Sequence, residues 1–88
     1  MSKPYLEITY RQGKPFAAYL YLDRRAADIS VRTEPRGKVL VDFSDDGRPI
    51  GIEMTAVSAA VATDLRQTLK DMRITGITSD ELAPLEPA

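Results

Sequence analysis

The spacing of apolar residues changes once along the chain, near Thr55, and this change constrains the fold more than any other feature. Before Thr55, apolar and polar residues tend to alternate, as they do over 5–10, which is typical of β-strands with one buried face. After Thr55 the apolar residues recur every third or fourth position, which is typical of an amphipathic helix. The pattern predicts an α+β domain: an antiparallel β-meander of about five strands with one C-terminal helix packed on one face.

Turn-forming residues divide the first part of the chain into strands. The predicted strands are 5–10, 16–22, 28–33, 38–43 and 50–55, and the predicted turns include 11–15 and 34–37. Asp46 and Gly47 give the strongest hairpin signal, because a tight turn of the favoured hand needs a positive φ. Gly51 lies inside the last strand, where it predicts a bulge or a close approach of the helix.

One helix is predicted near 57–73. The prediction is based on an apolar stripe that consists of Val57, Val61, Leu65, Leu69 and Met72. Thr55 or Ser58 would supply the N-cap oxygen, and Gly76 would supply a left-handed stop.

Residues 1–76 are expected to form a single domain, since 88 residues are too few for two self-supporting cores. Residues 77–88 hold a candidate capping box, Thr78 with Glu81, followed by two prolines that prevent a long helix. We therefore expect residues 77–88 to be a flexible or weakly docked tail.

The composition excludes several classes of function. The chain has neither Cys nor His, which removes disulfides, thiolate catalysis and the commonest general base and metal ligand. No serine has a base to activate it and no glycine-rich phosphate loop is visible, so we expect no enzyme, no catalytic residue and no cofactor. The formal net charge of -1 does not favour nucleic acid as a partner, and no apolar segment is long enough to span a membrane. Without a signal-peptide core, the expected location is cytoplasmic.

The segment from Asp42 to Glu53 has the register of a calcium-binding EF-hand loop. Counting Asp42 as the first position places Ser44, Asp46, Gly47, Arg48 and Glu53 at the third, fifth, sixth, seventh and twelfth. An EF-hand needs flanking helices, however, and both flanks alternate as strands. A hairpin would send Asp42 and Glu53 down opposing strands, so we predict a hairpin turn and no metal ligands.

Three tyrosines form a candidate interface. Strand parity places Tyr5, Tyr19 and Tyr21 on the face opposite the inward leucines. Tyrosine has a high strand propensity and tolerates partial exposure, which is the ordinary explanation. Tyrosine is also enriched at interfaces, where its ring is buried and its hydroxyl stays in contact with water. The three tyrosines therefore also suggest an interface, above all that of a homodimer.

Basic residues crowd the central third of the sequence, where they are interleaved with acidic ones. The basic members are Arg24, Arg25, Arg32, Arg36 and Lys38. A patch of this kind could meet an acidic partner or phosphate, but the interleaved Asp23, Asp28 and Glu34 favour a solvated surface of mixed charge.

The stretch from Val39 to Met54, together with Ala56-Val57-Ser58, resembles the bacterial domain-of-unknown-function family 2283. Those short proteins carry a strand, Asp-Gly-Arg and Gly-Ile-Glu, which correspond here to Asp46, Gly47, Arg48, Gly51 and Glu53. The N-terminal strand and the longer C-terminal helix and tail depart from the family pattern. The family has no established activity, so the resemblance implies a fold. Some relatives lie beside small toxin-like proteins, which implies an antitoxin-like binding role.

These observations predict a small protein-interaction module that self-associates through a sheet face, because two apolar sheet faces have only one helix to cover them. Two alternatives stay open. The chain could bind a small molecule or an ion, through the tyrosines or the Asp42 to Glu53 segment, or it could be the antitoxin-like partner of a small toxin.

Overall fold

The computed structural model describes residues 4–23 and 25–85, and within them five strands form one antiparallel sheet. The strands are β1 (Tyr5–Arg11), β2 (Lys14–Tyr21), β3 (Arg32–Arg36), β4 (Val39–Phe43) and β5 (Pro49–Met54). The helical elements that follow are α1 (Ala59–Asp71), α2 (Ser79–Leu82) and a 3-10 turn (Ala83–Leu85). The predicted α+β class and the five-stranded antiparallel sheet are confirmed.

The order of the strands is β1-β2-β5-β4-β3, so the prediction of a simple meander is wrong. After β2, the next strand along the chain, β3, lies at the far edge of the sheet. From there β4 and β5 return through two hairpins until β5 pairs with β2. This is a Greek-key arrangement. It places Pro35 in an edge strand, where the missing N–H of proline costs no ladder hydrogen bond.

The predicted strand at 28–33 is also wrong. The Asp28 carboxylate accepts hydrogen bonds from the Arg25 backbone N–H at 2.7 Å and from the Arg48 guanidinium, and this pins the segment as a loop. Ile29 and Val31, whose alternation with polar residues suggested the strand, are 64% and 56% exposed. The strand begins only at Arg32 and includes the first three residues of the predicted turn at 34–37, so the turn itself is displaced to Gly37 and Lys38.

The core cluster combines residues of β2, β4 and β5 with buried apolar residues of α1. Leu20, Ile52 and Val41 follow one another in register across β2, β5 and β4 and are almost completely buried. The α1 members of the same cluster are Val61, Ala62, Leu65 and Leu69, with Val57 and Met72 packed partly buried against it. The predicted helical stripe therefore contributes to the core.

Helix α1 has defined caps at both ends. Ser58 is the N-cap, and its hydroxyl accepts a hydrogen bond from the Val61 N–H at 3.2 Å, which decides between the two predicted candidates. The helix ends before Gly76: Arg73, at a φ of 56°, donates to Lys70, and the next residue, Ile74, donates to Leu69. This is a Schellman motif with arginine where glycine is usual. In the part of the chain that the structure describes, no helix is long and apolar enough to cross a bilayer.

The C-terminal segment, predicted to be a flexible or weakly docked tail, contributes residues of 79–85 to the core. The Thr78 and Glu81 capping box is present, with the Glu81 carboxylate accepting from the Thr78 N–H at 3.0 Å. Leu82 and Leu85 are 4% and 1% exposed and belong to the core cluster, and α2 contacts β1. Residues 86–88, for which the same kind of tail was predicted, lie outside the described residues.

Candidate interaction surface

Strand parity divides the sheet into a core face and an opposite face, which we call the tyrosine face. By the alternation within the strands and their pairing, its members are Tyr5, Glu7, Thr9, Arg11, Lys14, Ala17, Tyr19, Tyr21, Thr33, Pro35, Leu40, Asp42, Gly51 and Glu53. None of the three tyrosines belongs to the core cluster that includes residues of both helices. Tyr5 is 51% exposed, whereas Tyr19 and Tyr21 are half-buried.

The three predicted tyrosines come together as one aromatic cluster. Tyr5 and Tyr21 are direct cross-strand partners on β1 and β2, and their rings stack with centroids 4.5 Å apart and an interplanar angle of 16°. The Tyr19 ring lies 4.7 Å from that of Tyr21 and is tilted by 53°. Both geometries are favourable for aromatic pairs, so each ring restricts its neighbours before any partner binds.

Tyr19 reaches across β5 because residue 51 is a glycine. The ring lies directly over Gly51, where an added Cβ would overlap it. The Tyr19 hydroxyl thereby donates to Asp42 Oδ2 at 2.5 Å, two strands away, and Asp42 Oδ1 accepts from the Thr33 hydroxyl at 2.6 Å. The close approach predicted for Gly51 is made by this tyrosine ring and not by the helix, and the register irregularity lies beside it, at Ile50.

Two exposed carboxylates flank Tyr19 in its own cross-strand row. Glu7 on β1 and Glu53 on β5 are both register partners of Tyr19. Beside this row, the small side chain of Ala17 leaves a shallow open hollow, which Phe16 also lines. The tyrosine face is therefore aromatic and acidic at this point.

The predicted turn at Asp46 and Gly47 joins β4 to β5, but it is not a two-residue turn. The Gly47 N–H donates to the Ser44 carbonyl at 3.0 Å, and the Ser44 N–H donates to the Arg48 carbonyl at 2.9 Å. Gly47 has a φ of 86°, so a three-residue loop ends in one left-handed residue, and only the glycine needs positive φ.

Arg48 ties this turn to the loop before β3. Its guanidinium contacts Asp46 at 2.8 Å and Asp28 at 2.5 Å, and the Asp28 side chain is only 7% exposed. The hydrogen bond from Arg48, aided by the Ser44 hydroxyl, lowers the pKa of Asp46. The Arg25 backbone N–H, followed by Arg48, lowers the pKa of Asp28, while the two carboxylates raise the pKa of Arg48. The motif arginine is thus a structural clamp.

The Asp42 to Glu53 segment has strands on both sides, as the hairpin prediction requires. Asp42 pairs with Gly51, and Glu53 pairs with Leu40, so the first and last positions of the EF-hand register lie on neighbouring strands with one residue pair between their rows. Asp42 is occupied by two hydroxyl donors. Among residues 4–23 and 25–85, no group of three or more acidic side chains is placed to hold a metal ion.

The basic residues of the central third do not form a single patch. Arg32 and Arg36 both pair with Glu34, at 2.9 Å and 3.9 Å, along the edge strand β3. Arg25 lies exposed in the preceding loop, and Arg24 is outside the described residues. The described members lie on a mixed-charge surface.

Sequence reasoning found the three tyrosines and the motif turn but missed two features of the surface. The Tyr19 to Asp42 bridge depends on β5 lying between β2 and β4, which the meander prediction did not allow. The Asp28 to Arg48 ion pair joins a residue of the predicted strand 28–33 to a residue beside the predicted turn at Asp46 and Gly47, twenty positions further along the chain. Gly51 was the sequence signal for the Tyr19 to Asp42 bridge, because a glycine inside a strand indicates that another group approaches closely.

Comparison with known proteins gave no match to a family model, to a curated protein or to a solved structure. The resemblance to the domain-of-unknown-function family 2283 stays a prediction.

Proposed function

We propose that this protein is a small protein-interaction module that self-associates through the tyrosine face. The observation that carries the proposal is the asymmetry of the sheet. The residues of one face share a core cluster with residues of α1 and of the C-terminal segment, whereas the other face presents a stacked tyrosine cluster with Tyr5 half exposed. Exposed aromatic surface of this kind is characteristic of contact sites.

The arrangement of the tyrosines favours a binding surface over the alternative that these residues are only strand formers that tolerate partial exposure. Tyr5 and Tyr21 are stacked, and Tyr19 is fixed by its hydrogen bond to Asp42. Side chains that are already ordered lose little conformational entropy when a partner covers them. Tyrosine also offers an apolar ring and a polar hydroxyl to the same partner. It therefore suits a surface that is exposed to solvent in the free protein and buried in the complex.

The area of the face indicates a weak complex. A strip three strands wide and about seven residues long measures roughly 300–400 Å² per copy, from strand spacings of ~4.8 Å and a rise of ~3.3 Å per residue. The total buried by two copies would lie below the ~1,200 Å² of a standard stable interface. We therefore expect self-association at high micromolar concentration.

Sedimentation equilibrium from micromolar to millimolar protein tests this proposal. Wild type should shift from monomer to dimer, and Tyr5→Ser/Tyr21→Ser should shift the midpoint to at least about tenfold higher concentration because the stacked rings are lost. Ile29→Ser is the matched control, since Ile29 is 64% exposed but lies in the loop before β3. A strict monomer at the highest concentration would overturn self-association.

A second candidate function is the binding of a small molecule or a cation in the hollow beside Tyr19. The observation that favours it is the pair of carboxylates, Glu7 and Glu53, on either side of that ring. Calorimetric titration with calcium tests it: heat of binding that disappears in Glu53→Gln would support the site, and absence of heat in wild type would exclude calcium. The antitoxin-like alternative predicts instead that a small basic protein co-purifies from the native host.

A further inference from the structure

The charges on the tyrosine face are separated along the strand direction. The acidic row, Glu7 and Glu53, lies on either side of Tyr19. The basic tip, Arg11 and Lys14, closes the β1–β2 hairpin, where these two residues are direct partners. Glu7 and Arg11 are four residues apart on one strand, or roughly 13 Å at the usual rise. The surface therefore has an acidic middle and a basic end.

These charges are not paired within the part of the chain that the structure describes. All four side chains are exposed, and none takes part in the ion pairs found there, which join arginines to Asp28, Glu34 and Asp46. The Arg11 guanidinium lies 4.1 Å from the centre of the Phe16 ring, a contact that helps to order the basic tip. Phe16 is 43% exposed and also lines the hollow, so the tip and the hollow are adjoining parts of one surface.

We infer that the tyrosine face recognises a second copy of this chain by placing the basic tip of each copy against the acidic row of the other. The inference rests on the proposed function and specifies its partner contacts. A two-fold axis near Ala17 makes the two hairpins cross in opposite directions, so that Arg11 and Lys14 of one copy meet Glu7 and Glu53 of the other. Isologous symmetry then forms the reciprocal contact in the same step.

Charge complementarity selects this arrangement over a parallel one. If two faces met with their strands aligned, the acidic rows would oppose each other, and like charges across an interface are costly. In the antiparallel arrangement the acidic row of each copy instead faces the basic tip of the other. The incoming cations also lie beside the rings of Tyr19 and Tyr21, and an aromatic face attracts a cation. The small side chain of Ala17, near the axis, lets the two faces approach each other closely.

A charge-swap experiment tests the inference. Glu7→Lys/Glu53→Lys and Arg11→Glu/Lys14→Glu should each self-associate at least about tenfold more weakly than wild type, because like charges now meet. An equimolar mixture of the two variants should restore association to within a few-fold of wild type, since the swapped surfaces complement each other. Fluorescence anisotropy of one labelled variant, titrated with the other, measures this directly.

The controls separate specific contacts from net charge and from unfolding. Asp45→Lys changes the charge as Glu53→Lys does but lies in the β4–β5 turn, at the other end of the sheet, so it should leave association unchanged. Circular dichroism and thermal unfolding should show each variant folded. Association of wild type should weaken as salt is raised, because exposed charges are screened.

The outcomes distinguish this inference from the proposed function. If wild type dimerises and Tyr5→Ser/Tyr21→Ser weakens it, but neither charge variant does, the tyrosine interface stands and the charge pairing is wrong. Failure of the mixed variants to recover would also overturn the pairing. A strictly monomeric wild type that binds an arginine-rich peptide, with loss of binding in Glu7→Lys/Glu53→Lys, would overturn the second copy as partner and assign the face to a basic segment of another protein.

Discussion

The Tyr19 hydroxyl donates a hydrogen bond to Asp42 at 2.5 Å across an intervening strand, and the bond exists because the residue between them is Gly51. A tyrosine that spans two strand spacings cannot coexist with a side chain in the middle. The relationship joins β2, β5 and β4 on the face where we place the interaction site, and it holds one of the three tyrosines in a fixed orientation.

Gly51→Ala is therefore expected to destabilise the protein. The new methyl group would displace the Tyr19 ring and break its bond to Asp42, at a cost of about 1–2 kcal/mol in the free energy of unfolding. Urea denaturation measures the change. In a Tyr19→Ala background the same substitution should cost almost nothing, because no ring remains to be displaced. An equal cost in both backgrounds would show that the glycine is needed for another reason.

The clamp at Arg48 predicts an acid-dependent loss of stability. The pKa values of Asp28 and Asp46 are lowered in the folded protein. Groups with a lowered folded pKa contribute stability above their unfolded pKa of about 4, and that contribution is lost as the pH falls below it. Urea denaturation between neutral pH and pH 2 should show this decline in wild type and a shallower one in Arg48→Met. Lys70→Met, which removes an exposed charge elsewhere, should keep the wild-type slope.

The N-cap of α1 offers a discriminating pair of substitutions. Ser58→Ala should lower the free energy of unfolding by about 1 kcal/mol, because the Val61 N–H loses its acceptor. Thr55→Ala should change it by less than about 0.5 kcal/mol, since Thr55 is exposed and does not cap the helix. Thermal unfolding followed by circular dichroism measures both. Equal effects would mean that the helix begins earlier than Ser58.

Local patterns of apolar residues predicted most of the strands and the main helix, because the residues that the patterns turn inward are the ones that pack in the core. Strands β1, β2, β4 and β5 follow a period of two, and the residues that the pattern turns inward, such as Ile52 and Val41, are fully buried. The helix follows a period of 3.6 for the same reason. Parity within each strand was enough to place Tyr5, Tyr19 and Tyr21 on one face, since parity needs no knowledge of which strands pair.

Strand order could not be read from the same patterns, because pairing is a property of two distant segments. Ile29 and Val31 alternate as a strand would, yet their segment is held as a loop by contacts of Asp28 with Arg25 and Arg48. An ion pair between residues twenty positions apart leaves no periodic trace. The Tyr19 to Asp42 bridge was out of reach for the same reason, since it requires β5 to separate β2 from β4.

The C-terminal segment gives the sharpest contrast between the sequence and the structure, and it can be tested directly. Prolines after Thr78 indicate a frayed end, but Leu85 is 1% exposed and packs in the core beside Leu82. Leu85→Ala should therefore lower the free energy of unfolding by about 2–4 kcal/mol, the usual cost of a cavity in a packed core. Pro84→Ala, at an exposed neighbouring position, should cost less than about 1 kcal/mol. Urea denaturation compares the two, and equal small effects would return residues 79–85 to the status of a loosely attached tail.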